Sequence, residues 1–300
     1  MTKRNKTQKA NKNSAARVAL MRAGVKAAPV SAFAFFVVSK GRADNVQRVQ
    51  SLFENTGVMP TWVVGTGEVH LYKSAGAENV VEGGKLTPSR NTCLDLAASQ
   101  KKYCVQMSDD VKSFHYYESA RDGGEGMARK TWSKPMSQQE ANVRTGKASV
   151  STLSPVGAAQ IVAAFMTLKK AHLGGAYPCL NAGFAMNQAP VTTDHFIVGD
   201  FIVVDTRKRN VPRFDEHFSL KEDYDYTTQH LDQYGAVARV NRLLVKAQHR
   251  DNPGGAVADR TSKGEQGAIR RLYEKWPGVF STNHRRPNEV IMQWRFRSNQ

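Results

Sequence analysis

The stretch "AFAFFVVS", residues 32–39, is apolar at every position but its last. A strand with one wet face alternates apolar and polar residues. A run without that alternation suits a strand covered on both sides, as in a parallel sheet. Even extended to "PVSAFAFFVVS" it is too short to cross a bilayer. "KGR" then supplies a turn, and "ADNVQRVQSLFENTG" sets Val46, Val49, Leu52 and Phe53 at helical spacing ahead of Gly57. "PTWVVGTG" (60–67) reads as a second short strand. Strand, helix and strand with short connections make a βαβ unit, so the chain opens as an α/β domain.

The pattern continues. Gly83, Gly84 and Pro88 read as a loop, and Asn91 to Gln100 as a helix burying Leu94, Leu96 and Ala97. "KYCVQM" is the next strand, with Asp109 and Asp110 just past its end. Residues 119–155, rich in Gly, Ser, Lys and Gln, read as an irregular insertion. "SPVGAAQIVAAFMTLKKAHLGG" reads as an amphipathic helix stopped by Gly174–Gly175. "GFAMNQ" and "FIVGDFIVVDT" read as strands, "YDYTTQHLDQYG" as a short helix capped by Gly235, and "AVARVNRLLVKAQH" as a strand. No internal repeat is visible. The expectation is one α/β domain over 29–300, behind a disordered basic tail at 1–28.

Charge narrows the class of partner. The chain carries 43 Lys+Arg against 26 Asp+Glu, a net +17. A field of that sign attracts polyanions: nucleic acid, an anionic membrane surface or phosphorylated small molecules. No acidic residue precedes Asp44, whereas Lys3, Arg4, Lys6, Lys9, Lys12, Arg17, Arg22 and Lys26 all do. Arg270, Arg271, Lys275, Arg285, Arg286, Arg295 and Arg297 repeat the bias near the other end. Both stretches suit either phosphate contact or a solvated surface. Cys93, Cys104 and Cys179 form no CxxC pair, which signals neither a zinc cluster nor a disulfide framework and suits a reducing compartment.

Four groups of residues could carry chemistry. Ser108-Asp109-Asp110 lies where α/β sheets bind ligands, and its carboxylates suit a hard divalent cation. A plain turn is the alternative. Glu222, Asp223 and Asp225 cluster in "FSLKEDYDYTTQHL", either as a charged helix start or as the source of a general base. His249 ends a strand before "RDNPGG", where imidazole suits a metal and glycines admit a phosphate. Arg90 and Asn91 open a helix and could hold a pyrophosphate or a sugar hydroxyl.

In order along the chain, "SKGR", "SRN", "SDD", "KEDYDY" and a late histidine before Asn-x-Gly-Gly resemble glycosyltransferases of the GT-A fold. Within them the chain resembles the TET-associated group, which includes the enzyme making base J and relatives encoded in phages. The likeness is densest in "FDEHFSLKEDYDYTTQHLDQYGAVARVNRLLVKAQHRDNPGG" and covers about residues 30–290 in outline. The resemblance implies a GT-A-like, Rossmann-type mixed sheet flanked by helices. It implies Asp110 and His249 as ligands of Mg²⁺ or Mn²⁺, and Asp109 on the ribose or donor sugar. Ser39, Arg42, Arg90 and Asn91 fall on the nucleotide side, and Asp223, with Glu222 second, is the implied base. Ser108 stands where the family's acidic motif begins, which leaves two carboxylates.

The implied activity is hexosyl transfer with inversion, from a nucleotide sugar, UDP-glucose first, to a hydroxymethylpyrimidine in DNA, 5-hydroxymethylcytosine first. The base must leave the stack, and Tyr116, Tyr117 and Trp132 are candidates to receive it. The basic tail, the C-terminal arginines and the insertion are candidate grips on the duplex. A glycosyltransferase acting on protein or a small acceptor, or an inert nucleic-acid-binding protein, uses the same residues differently. No membrane partner is expected. The expected compartment is the cytoplasm, of the host if the chain is phage-encoded; a nuclear or organellar address stays open because the tail also suits a transit peptide.

Overall fold

A computed structural model of the chain describes residues 24–118, 149–178, 185–186, 188–208, 210–248 and 261–294. Its frame is a ten-stranded mixed sheet. In spatial order it begins with β3 (Asn79–Glu82), β2 (Thr61–Val64), β1 (Phe33–Val38) and β4 (Tyr103–Ser108), all parallel. Next, β9 (Phe201–Val204) runs antiparallel to both β4 and β7 (Leu173–Tyr177). Then come β10 (Ala238–Ala247), parallel to β7, and β5 (Val111–Glu118) and β6 (Ser149–Leu153), each antiparallel to the strand before it. β8 (Val191–Thr192) adds to β10.

Both faces are buried, as the unbroken apolar run in β1 requires. Phe33, Phe35 and Val37 face α1 (Val46–Ser51), α2 (Val69–Ser74) and α4 (Pro155–Lys169), whose Val46, Val49, Tyr72, Ile161 and Met166 join one core. Ala34 and Phe36 face the other way. There α3 (Leu86–Ser99) and α5 (Glu222–Tyr234) bring Cys93, Leu94, Ala97, Tyr226 and Leu231 onto Cys104, Ile202 and Val204. A third cluster joins Phe218 to α6 (Ser262–Lys275) and the hairpin of β11 (Phe280–Thr282) and β12 (Val290–Met292). The chain is thus a single α/β domain with a Rossmann-like sheet flanked by helices. Among the described residues no helix is long and apolar enough to cross a membrane.

Several expectations need correction. Pro88 lies in the first turn of α3, not in a loop, because a first-turn N–H has no helical partner to lose. α4 is buried over most of its circumference rather than amphipathic. It ends at Lys170, in the left-handed region at φ 55°, and Gly174–Gly175 lie in β7 instead. Packing explains those glycines. A Cβ on Gly174 would stand 2.6 Å from Val162 Cγ1, and one on Gly175 would stand 2.5 Å from Ile197 Cγ2, so their absence lets elements approach β7 from both faces. Residues 149–155 of the expected insertion form β6 and the start of α4, while 119–148 lie outside the described residues. Within "GFAMNQ", Ala185 and Met186 are helical. "FIVGDFIVVDT" contributes only Phe201–Val204 as strand. The packed chain also begins before residue 29: Val25, Ala27 and Ala28 lie against the core, and Gln160 Nε2 donates to Ala28 O at 2.9 Å.

Candidate functional site

β1 and β4 end together, with Val38 in register with Ser108, so Ser39 and Arg42 leave one strand beside Asp109 and Asp110 leaving the other. Ser39 Oγ donates to Asp109 Oδ2 at 2.5 Å and lies 2.6 Å from Tyr72 Oη. Arg42 Nη1 donates to Asp109 Oδ1 at 3.0 Å and to Asp110 Oδ1 at 2.9 Å. One guanidinium therefore stands between two carboxylates whose like charges would otherwise repel. Burial raises the pKa of Asp109, against the opposing pull of Ser39 and Arg42. The pair is not equivalent: the Asp109 side chain is 2% exposed and that of Asp110 12%. The turn itself is braced, since Arg48 donates to Asp109 O and Val111 O, and Asp110 N–H donates to Ser108 Oγ. Turn and charged site are thus the same structure.

The second group gathers around Arg90. Its guanidinium reaches Glu222 Oε1 at 3.1 Å, Gln106 Oε1 at 3.3 Å and Gly199 O at 3.1 Å. Glu222 is therefore committed to an ion pair that is buried on both sides. Asp223, one residue on, accepts from the backbone N–H of Gly199 (3.0 Å) and of Tyr224 (3.0 Å) and is half-buried. Burial, then the charge of Glu222, pushes its pKa up to about 7. Asn91 braces the loop before α5: its amide donates to Phe214 O and Glu216 Oε1 and accepts from Phe214 N–H.

Two residues join these groups. Ser108 N–H donates to Asp200 O at 3.0 Å, while Gly199 serves Arg90 and Asp223. The segment Gly199–Asp200, which enters β9 antiparallel to β4, thus ties the Asp109–Asp110 turn to the start of α5. A Cβ on Gly199 would lie 2.5 Å from Arg90 Nη2, so no larger residue fits while Arg90 keeps its place. Ser39, Arg42, Asp109 and Asp110 form one cluster, and Arg90, Glu222 and Asp223 another beside it. His249 lies outside the described residues. Its predecessor Gln248 donates N–H to Asp110 O at 3.1 Å, where Ala247 is in register with Val111. Among the described residues no three His, Cys, Asp or Glu side chains come together as a metal site.

Sequence reasoning missed Tyr72, Arg48, Gln106 and Gly199. Gln106 gave a signal, a polar residue inside an apolar strand, and it is fully buried with its Nε2 donating to Arg90 O. Tyr72 sits on a helix too short to show a period. Of the three candidate stacking aromatics, Tyr116 is buried in the core, Tyr117 is half-buried, and Trp132 lies outside the described residues. Lys275 is engaged with Asp215 and Asp225, and Arg271 with His217 O, so these two cations serve the fold. No family model matches the chain, and no curated protein matches it in sequence.

Proposed function

We propose that the chain is an inverting glycosyltransferase that moves a sugar from a nucleotide donor, UDP-glucose first, to the hydroxyl of a hydroxymethylpyrimidine in DNA, 5-hydroxymethylcytosine first. The supporting observation is the approach of an acidic strand end and a base-forming carboxylate through Gly199–Asp200. Binding at a strand's carboxyl end and deprotonation are the two needs of this chemistry, and they fall side by side.

Asp110 fits a divalent ion better than Asp109 does. It is the more exposed carboxylate, whereas Asp109 has one oxygen on Ser39 and the other on Arg42. Asp110 would hold Mg²⁺ or Mn²⁺ with His249, and a bound ion would neutralise the diphosphate leaving group. Ser39, Arg42 and Asp109 form the rigid floor for the nucleotide and its sugar. Arg90 and Asn91 act by holding this floor to the loops before α5, since their polar atoms are already engaged there.

Asp223 takes the acceptor proton. The acceptor oxygen bonds to the anomeric carbon as the bond to diphosphate breaks, so the proton ends on Asp223 and the electron pair on the departing nucleotide. A single displacement inverts the anomeric centre. Glu222, paired with Arg90, sustains the negative field that keeps Asp223 basic. The net charge of +17 and the acid-free N-terminal stretch favour a polyanionic acceptor.

The test is incubation with UDP-glucose and hydroxymethylcytosine DNA, followed by nucleoside mass spectrometry. A glucosylated nucleoside is expected, lost in Asp110→Ala and in Asp223→Asn, with donor binding retained in the latter. Transfer only to a protein or small acceptor would refute the DNA reading. Absence of transfer with every common nucleotide sugar would refute the enzymatic one.

A further inference from the structure

α3 and α5 cover one face of the sheet over β4 and β9, and among the described residues Ala185 continues that cover over β10, packing with Tyr177 on Leu244, with Tyr117 of β5 at its edge. The register shows what the sheet presents beside that contact. Leu244 pairs with His115 and Lys246 with Ser113, so His115, Tyr117, Leu244 and Lys246 point to the side opposite Phe114, Tyr116, Leu243 and Val245, which are buried in the α4 core. His115, Tyr117, Leu244 and Lys246 line a cavity of about 260 Å³. Ser113 Oγ lies 2.8 Å from His115 Nε2 and fixes that ring. Along the strands the cavity begins beside the bulge between Lys246 and Ala247, where the chain reaches Val111 and the acidic turn. Bulges of this kind often re-aim side chains beside functional sites.

We infer that this groove receives a nucleobase of an unpaired or extruded nucleic-acid strand, with Tyr117 and His115 against the ring and Lys246 on the adjoining phosphate. The chemistry of the lining points that way. Two half-buried planar side chains beside the buried Leu244 offer stacking surface, one exposed lysine offers charge, and no described carboxylate lines the cavity. Flat aromatic platforms with flanking cations are how sheets hold single strands, because every base has a stacking face. Burial and Lys246 lower the pKa of His115, which favours the neutral ring beside a base. The position suits the acceptor of the proposed transfer: the groove shares its face with α5, which carries Asp223, and its Lys246 lies two residues before Gln248, whose N–H donates to Asp110 O. That role rests on the proposed function; base binding itself does not.

Binding is therefore measured without donor. The full chain is titrated against fluorescein-labelled single-stranded DNA and duplex DNA with one mismatched pyrimidine, by anisotropy across a salt series. Tyr117→Ala is expected to weaken single-strand and mismatch binding roughly tenfold, and Tyr117→Phe to preserve it. Lys246→Gln, at an exposed position that leaves folding intact, is expected to weaken binding several-fold and to reduce the salt slope by about 0.7–0.9. Photocrosslinking of an iodouracil strand is expected to label β5 or β10. Unchanged affinity in both Tyr117→Ala and Lys246→Gln, or crosslinks confined to other surfaces, would overturn the groove. Calorimetry with UDP separates the two readings. Loss of strand binding with UDP binding intact is expected of Tyr117→Ala, whereas a wild-type chain that binds strands through the groove but no nucleotide sugar refutes the transferase and leaves the groove standing.

Discussion

Glu222 and Asp223 are adjacent carboxylates with different fates. Glu222 faces a guanidinium, while Asp223 faces two backbone N–H groups and the negative charge of its neighbour. With its pKa raised to about 7, Asp223 is protonated in mild acid and becomes a base only as pH rises through that value. Transfer rate is therefore expected to climb about tenfold per unit below pH 7 and to level off above it. Asp223→Asn should remove both the rate and this limb, whereas Glu222→Gln, by removing a negative neighbour, should move the limb to lower pH. A pH–rate profile of kcat/KM checks both. His230 supplies a second pH effect, on stability. It is fully buried between Tyr226 and Tyr234, its ring nitrogens lack hydrogen-bond partners, and burial, with His172 nearby, lowers its pKa to about 3. Between pH 6.5 and about 3 the unfolded chain binds a proton there that the folded chain does not. Stability from this group is therefore intact above pH 6.5 and falls by about 1.4 kcal/mol per unit on acidification through that window. Urea titrations across pH should show a flatter acid limb for His230→Phe, with stability at neutral pH unchanged, since the phenyl ring leaves no polar atom unpaired.

α5 carries Asp223 and is held from outside the sheet. Just before it, Lys221 adopts φ 63°, a left-handed conformation costly for a residue with a Cβ, while its ammonium lies 2.9 Å from Glu265 and 3.1 Å from Glu289. One turn on, the fully buried Asp225 accepts from Trp276 Nε1 at 2.7 Å and pairs with Lys275 at 2.9 Å. α6 and its hairpin thus fix both the backbone before Asp223 and the turn after it. Trp276→Ala removes a ring from the Phe218 cluster and a donor from Asp225, and is expected to cost about 3–5 kcal/mol in chemical denaturation. The contrast between legible and hidden elements has the same physical basis. β1 and β4 are readable because strands buried on both faces leave apolar runs, broken inside β4 only by Gln106. β3, with exposed Asn79 and Glu82 at the sheet edge, has no such run, and the six-residue α2 is too short to show a period. The Asp109–Asp110 pair was visible as charge at a strand end. Its clamp by Arg42, and its link to Asp223 through Gly199, join residues about seventy to more than a hundred positions apart and leave no local pattern.

At the scale of the whole molecule, the proposed binding of a polyanion would divide between charge and fold. The groove on β5 and β10 offers stacking, which distinguishes an unpaired base from a stacked one. The cations before the first acidic residue offer phosphate contacts, which do not depend on sequence. Lys3, Arg4, Lys6, Lys9, Lys12, Arg17 and Arg22 all precede Gly24, where the described chain begins, whereas Val25, Ala27 and Ala28 belong to the packed core. A deletion of residues 1–23 therefore removes these cations and keeps Val25, Ala27 and Ala28, and a thermal melt of the shortened chain checks that its fold is kept. If those cations neutralise duplex phosphates, each releases close to one counterion, so the slope of log affinity against log salt should flatten by about 0.9 for every phosphate they had neutralised. Affinity should fall equally for all sequences, and the preference for a mismatched over a matched duplex should survive, because the proposed groove puts that preference with Tyr117 and His115. A salt slope unchanged by the deletion would show that the N-terminal charges do not touch DNA, and disappearance of the mismatch preference would show that base recognition does not reside in the sheet.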